Sequence, residues 1–369
     1  MGIIEPIPGE PAAIATLPDE RALVIADYHA GYEAELRYDR GIDVPSRAPD
    51  RRERLLSLLE QTGVSHLVVL GDLMHSIGDP GGAERGELEV LFESFPTWLS
   101  VTVVKGNHDG AIESWLGGPS DGQLTATELV PQEQITIVPG HGVSLGDGTL
   151  GVCHGHTWPS RDVLESRVVC HGHEHPFVRL EDEVGGTRVE PAWLRGRLDP
   201  TPFRERSTSD YDGLSWLPSD GDSDDSPVVS GSDTRSDDGP VSGSDAGSDD
   251  VLVGGSDGES DDVIVGGSDG GLDSQEVDKA VDDRDDGPAT TDHRTKSDPS
   301  VSVDNEDQHR SDDHRPPELI VFPAFNDLVG GTWINVPGQT FLSPYLPSGL
   351  ADGEVYLLDG TRLGPYESI

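Results

Sequence analysis

Short runs of β-branched residues alternate with helical patterns over roughly the first 200 positions, which is how strands and amphipathic helices read in an α/β core. ALVIAD at 22–27 supplies the first strand, HLVVLGD at 66–72 the next and SVTVVKGNHD at 100–109 the third. A helix is predicted at about 50–62, where Asp50 and Glu53 make a capping-box-like start, Leu55, Leu56, Leu58 and Leu59 an apolar face, and Gly63 a stop. GELEVLFESF at 86–95 reads as a second helix. Further strands are expected at 135–138, 149–153 and 168–171, with a hairpin over 177–193 turning at Gly185-Gly186. Each of the first three strands ends in a polar cluster, and in open α/β sheets the sites lie beyond the carboxyl ends of strands.

From about 205 to 315 this pattern vanishes. Residues 206–315 hold 31 acidic and 8 basic side chains, about half of the net charge of −45, and SDDVLVGGSDG at 248–258 recurs as SDDVIVGGSDG at 260–270. Such a segment buries too little apolar area to offset its ordering entropy, so a disordered acidic Ser/Asp/Gly-rich insertion is expected. A calcium-binding array would need a regular Gly-Gly-x-Gly-x-Asp spacing that two copies do not supply. Strand-like runs return in PELIVFPAFNDLVGGTWINV and EVYLLDG, too short for a core of their own. The expected division is a core over 1–204, the insertion over 205–316, and strands over 317–369 that complete the same core, with a separate small C-terminal module as the alternative.

Charge and composition narrow the setting. Three lysines (Lys105, Lys279, Lys296) stand against 22 arginines, and residues outside the insertion are also acidic. A surface that holds hydrated counterions in this way suits a cytoplasm at very high salt, so a halophilic archaeon is the expected source. MGIIEPIPGEPAAIATLPDE lacks the basic start and apolar core of a signal peptide, and no apolar run approaches the roughly 20 residues of a membrane span. A cytoplasmic location and no membrane partner are therefore expected. Two cysteines in such a compartment are not expected to form a structural disulfide.

Five strand-end clusters carry the candidate chemistry: Asp27-x-His29, Gly71-Asp72, Gly106-Asn107-His108-Asp109, His154-Gly155-His156 and Gly172-His173-Glu174-His175. Singly each is weak, because an Asp-x-His pair or a lone Gly-Asp recurs by chance. Their order, their shared position after apolar runs and their mix of oxygen and nitrogen donors suit a borderline divalent cation such as manganese, iron, zinc or cobalt, rather than an all-oxygen calcium or magnesium cage. Strand alternation would let Asp27 and His29 reach one ion while Tyr28 points away, and would let His173 and His175 diverge toward two. Gly71, Gly106 and Gly172 would permit sharp turns and close backbone approach. The two Cys-His-Gly-His stretches at 153–156 and 170–173 also raise a zinc knuckle. Adjacent residues on a strand face opposite ways, so Cys153 and Cys170 read better as buried strand residues. His156 and His171 are expected to be loop or supporting residues rather than ligands.

The ordered set of motifs D-x-H, G-D, G-N-H-[DE], H and G-H-x-H resembles the calcineurin-like metallophosphoesterase superfamily over roughly residues 20–200. YHAGYEAELRYDRGIDVP, GHEHP and VFPAFNDLVGGTWIN further resemble archaeal phosphoesterases related to the nucleases SbcD and Mre11. The resemblance implies a four-layer α-β-β-α sandwich and two divalent ions, manganese foremost. Asp27, His29, Asp72 and His175 would hold the first ion, with Asp72 bridging, and Asn107, His154 and His173 would join Asp72 around the second. Two such ions about 3.5–4 Å apart activate a shared water and neutralise phosphoryl charge. His108 would stabilise the transition state and act as general acid, and Asp109 would orient a nearby histidine. After Gly71-Asp72 the chain reads Leu73-Met74-His75 where phosphoprotein phosphatases carry an aspartate-arginine pair, which argues against that activity.

The resemblance implies a phosphoester bond and leaves its carrier open. A nuclease-like phosphodiesterase acting on DNA or RNA is the first reading, for which Arg37, Arg40, Arg47, Arg51, Arg52 and Arg54 are candidate phosphate contacts. A strongly acidic surface weighs against it. The alternatives are the same chemistry on a small nucleotide or other small phosphoester, and a non-catalytic scaffold of the same fold. No separate capping domain or ATPase-binding tail is recognisable, so no Rad50-type partner is implied.

Overall fold

The structure, a computed structural model, describes residues 2–78, 81–113, 134–182, 184–206, 211–217 and 315–369. These all fall in one compact unit, Met1–Asp222 with Glu306–Ile369. The second unit, Ser223–Asn305, and with it nearly all of the expected acidic insertion, lies outside the described residues.

Two sheets face each other. The first has six strands in the order β1 (Ile4–Pro6), β2 (Ala12–Thr16), β3 (Arg21–Ile25), β4 (His66–Val69), β5 (Ser100–Val104) and β6 (Ile135–Val138). Strands β3 to β6 are parallel, while β1 and β2 join the β3 edge antiparallel. The second sheet runs β14 (Arg362–Pro365), β13 (Leu350–Leu357), β11 (Thr187–Leu198), β12 (Glu318–Val321), β9 (Val168–His171), β8 (Leu150–Cys153) and β7 (Val143–Leu145), with β10 (Phe177–Glu181) paired to β11. Helices α1 (Tyr32–Tyr38), α2 (Ala48–Thr62) and α3 (Gly82–Glu93) follow the strands of the first sheet, and α4 (Arg161–Leu164) and α5 (Thr201–Glu205) those of the second.

Period-2 alternation sorts the buried side chains into three apolar layers. Leu23, Ile25, Leu67, Val69, Val101 and Val103 share one with Leu55, Leu58 and Leu59 of α2. Their neighbours Ala22, Val24, Val68 and Leu70 meet Val152, Val168, Cys170 and Ile320 between the sheets. Cys153, Val169, Leu319 and Val321 face the opposite side with Phe203, Tyr211 and Trp216. A helix–sheet–sheet–helix sandwich results, as expected. The cysteines are fully buried and free, on opposite faces of their sheet, and burial pushes the Cys153 thiol up to about 12.

The structure departs from expectation in four places. Two strands precede Arg21, in a segment whose Pro and Gly residues interrupt the alternation. Helix α2 begins at Ala48, with Pro in its first turn and no side-chain cap at Arg47, so the Asp50–Glu53 capping box is not its start. Pro fits that first turn because its missing N–H is needed least there. Residues 211–217 belong with the core rather than the acidic segment: Tyr211 donates to the Pro159 carbonyl and Trp216 to that of Leu164. Finally, the 177–193 hairpin is present, closed by the Gly185 N–H on the Asp182 carbonyl, but its second strand runs on to Leu198 to pair with both β12 and β13.

The arginine-rich stretch is largely occupied internally. Arg51, 5% exposed, donates to both oxygens of Glu33 and, at 2.7 Å, to Glu87, and lies over the Tyr28 ring. Arg54 pairs with Glu10, Arg47 with Asp327, and Arg37 with the Val44 carbonyl and Asp43. Arg51→Ala would strand two buried carboxylates; the expected loss is about 3–5 kcal/mol in urea unfolding, against less than about 0.5 kcal/mol for Arg52→Ala.

Candidate metal centre

Strand β3 ends at Ile25, and the first candidate residues lie just past it. Asp27, His29, Asp72, His173 and His175 all have left-handed backbones, with φ of 55°, 46°, 47°, 68° and 42°. Non-glycine residues seldom adopt this region, although Asp and His tolerate it better than most. Asp27 and His29 therefore meet through consecutive tight turns rather than by strand alternation, while Tyr28 is buried against Phe325.

Cross-links from three loops hold those turns. Asp27 N–H donates to the Gly71 carbonyl at 3.1 Å and His29 N–H to that of Asp72 at 2.9 Å. From the C-terminal segment, Phe325 and Asn326 donate N–H groups to the Ala26 and Asp27 carbonyls, and the Asn326 side chain donates to that of His29. Close approach also requires missing side chains. A Cβ on Gly106 would lie 1.9 Å from Asp72 Oδ1, and one on Gly71 2.2 Å from His154 Nδ1.

All seven expected ligands converge. Asp27, His29 and His175 form one group with ligand atoms within 4.8 Å of one another, and Asp72, His154 and His173 form a second. His173 and His175 thus diverge into different groups. Asn107 joins the second, its Oδ1 3.1 Å from His154 Nε2. His154 donates its Nδ1–H to the Leu70 carbonyl and His175 its own to that of Gly330, each at 2.7 Å, so both turn Nε2 toward the acids. His29 Nε2 is buried without a hydrogen-bond partner, 3.8 Å from Asp72 Oδ2. Orphaned imidazole nitrogens facing carboxylates suit a divalent transition-metal ion, and each group could hold one.

The electrostatics agree. Burial alone would raise the Asp72 carboxyl, but His154, bonded to it, and then His29 hold it below the ordinary range. Burial also opposes a charge on His154, yet Asp72 and Asp27 raise it above the usual imidazole value. Burial and then the His154 charge push His173 down to about 2.

His108 stands over the first group, its ring 5.2 Å from that of His29. Its N–H donates to Asp72 Oδ1 at 3.0 Å, and its Nδ1–H is given to the His75 carbonyl, leaving Nε2 free of both anchors. Asp109 does not orient a histidine. Its buried carboxylate accepts the backbone N–H groups of Leu73, Met74 and Gly106, tying the second and third strand ends together. His156 sits half-buried beside the His154 and His173 rings, and His171 is fully buried against Tyr345; neither joins a ligand group.

Sequence reasoning missed three supporting residues. Buried Glu174 accepts from Thr332 Oγ1 and from the N–H groups of Leu342 and Ser343, fixing the turn between His173 and His175. Asn326 braces the first turn. His75 contacts both His29 and His108, and burial, then His108, pushes it down to about 4. Its place three residues after Asp72 was the available signal.

Residues 21–201 match the family described as the calcineurin-like phosphoesterase superfamily domain. Among solved structures, a Pseudomonas putida nuclease, MPE, is similar at 21% identity and TM-score 0.32, covering 52% of this chain and 81% of its own. An E. coli phosphoesterase, Yfce, aligns at 21% identity and TM-score 0.26, covering 44% and 73%. No curated protein matches.

Gly106→Ala is expected to abolish metal uptake, measured by elemental analysis, while the circular dichroism of the sheets persists. Because His154 carries a proton that a bound ion must displace, manganese titration at neutral pH is expected to release protons and to tighten as pH rises. Calorimetry in buffers of different ionisation enthalpy reads both.

Proposed function

We propose that this chain, a member of the calcineurin-like phosphoesterase superfamily through residues 21–201, is a dinuclear metal-dependent phosphodiesterase. The supporting observation is the pair of adjacent acid–imidazole groups, Asp27/His29/His175 and Asp72/His154/His173, with His108 beside them. Bound divalent cations, manganese foremost, would activate water and neutralise phosphoryl oxygens. The chain's own part is orientation and proton handling. Asp72 stands between the groups, 3.3 Å from His154 Nε2 and 3.8 Å from His29 Nε2. It also anchors the His108 backbone, so the imidazole that would protonate the leaving oxygen is registered against the acids. The His75 carbonyl holds the Nδ1 side, and Nε2 is the atom that would deliver the proton.

Nucleic acid is the first candidate substrate, supported by the resemblance to relatives of SbcD and Mre11. The internal pairing of Arg37, Arg47, Arg51 and Arg54 favours a second reading, a small phosphodiester, because these guanidiniums are already engaged by carboxylates or a carbonyl. A net charge of −45 calls for assay in multimolar salt.

With manganese in such a buffer, bis-p-nitrophenyl phosphate is expected to be cleaved faster than p-nitrophenyl phosphate, and chelation is expected to stop turnover. Cleavage of single-stranded DNA would select the first reading and its absence the second. A metal-loaded protein inert on all three substrates would instead be a scaffold. His108→Ala should lose about 10²–10⁴-fold in kcat with unchanged metal content; full retained activity would remove His108 from the proton-transfer role.

A further inference from the structure

Three imidazoles face the acids with Nε2, and each must keep its other nitrogen protonated if Nε2 is to offer a lone pair to an ion. For His154 and His175 this is settled by carbonyl oxygens, which can only accept. His29 is different: its Nδ1 meets another ring nitrogen, His75 Nδ1, at 3.2 Å. Two imidazole nitrogens at this distance share one proton, and either ring can carry it.

The other edge of His75 resolves the ambiguity. His75 Nε2 lies 2.7 Å from Glu35 Oε2 on α1. The approach is short but bent from the line of a hydrogen bond, leaving Nε2 without an aligned partner. A carboxylate in contact with one nitrogen still favours the proton there, which makes Nδ1 the acceptor. The shared proton then belongs to His29. We propose that Glu35 and His75 are a positioning relay that fixes His29 as its Nδ1–H tautomer, with protons ordered His29 Nδ1–H to His75 Nδ1 and His75 Nε2–H to Glu35.

The ring of His75 is placed for this by its surroundings. It stacks on His108 at 5.2 Å and 13°, and meets Tyr32 and His29 edge-on. Its backbone N–H is held at 2.6 Å by the buried carboxylate of Glu84. The same residue therefore orients His108 through its carbonyl and His29 through its ring.

This inference rests on the reading of His29 as a metal-facing ligand, so its test begins without metal. In metal-free protein labelled with ¹⁵N-histidine, with His29 signals assigned through His29→Gln, wild type is expected to show a single Nδ1–H tautomer at His29. His75→Leu and Glu35→Ala should show mixed tautomers. By calorimetry, His75→Leu should bind the tighter manganese ion about 10- to 100-fold more weakly. His75→Asn, whose amide oxygen can still accept the His29 proton, should recover most of that loss. An unchanged His29 spectrum and unchanged affinity in His75→Leu would overturn the relay. So would a wild type that binds three ions and a His75→Leu that binds two, since His29, His75 and His108 would then be ligands of a third site. Absence of any metal binding in wild type would sink the phosphodiesterase reading while the tautomer measurement still decides the relay.

Discussion

The site depends on a backbone constraint before it depends on any side chain. Asp27, His29, Asp72, His173 and His175 can aim into one cleft only from left-handed conformations, and each such residue costs on the order of 1–3 kcal/mol unless its surroundings impose it. The surroundings here are other strand ends. Asp27 and His29 hang from the carbonyls of Gly71 and Asp72, and His173 N–H donates to the Asp27 carboxylate at 3.0 Å. Each strained turn is thus held by the next, and packing of the two sheets keeps all of them in register. Side chains of stable rigid layers bear the strain that the ligand loops store.

The C-terminal segment has a part in this that its length does not suggest. Strand β12 inserts between β9 and β11, parallel to the first and antiparallel to the second, so the second sheet is continuous only with it in place. The residues just after it then reach the site: Phe325 and Asn326 brace the first ligand turn, Gly330 accepts the His175 ring proton, and Thr332 through Ser343 satisfy Glu174. Gly331 lies so close to His175 that a Cβ there would sit 2.0 Å from its carbonyl oxygen. Sheet completion and positioning of the candidate ligands are consequently one event, which couples assembly of the cleft to folding of the whole unit.

Much of this was legible in the sequence because strand ends announce themselves. Apolar runs stop at polar clusters with glycines, and those clusters hold the seven candidate ligands that converge and His108. The unread parts have physical reasons. Strands β1 and β2 are short and interrupted by Pro and Gly, so their periodicity is weak. The Arg51–Glu33–Glu87 ion cluster looks like solvated charge in one dimension, because nothing in the local pattern shows that α1, α2 and α3 close over it. Asp109 follows a predicted catalytic histidine, yet besides the nearby Gly106 N–H its contacts are backbone amides thirty-five and thirty-six positions away. Glu174 and His75 were visible as residues, but their partners come from distant loops that only the fold brings near.

The charge of the chain bears on what can reach such a cleft. At −45 the molecule repels polyanions in dilute buffer, an objection to any phosphoester substrate. At 1 M salt, however, the screening length falls to about 3 Å, shorter than the distance from the cleft to most surface carboxylates of a folded domain. Long-range repulsion then ceases to matter, and so does long-range attraction by a basic surface. Recognition must come from contacts made within the cleft, where the acid–imidazole groups are desolvated and interact strongly. Arg51, buried and paired with Glu33 and Glu87 rather than free for phosphate capture, is consistent with that regime, because a surface guanidinium would gain little there. On the proposed reading, affinity for an anionic substrate would be concentrated in cations at the Asp27 and Asp72 groups, and metal occupancy would then be a condition for substrate binding as well as for its chemistry.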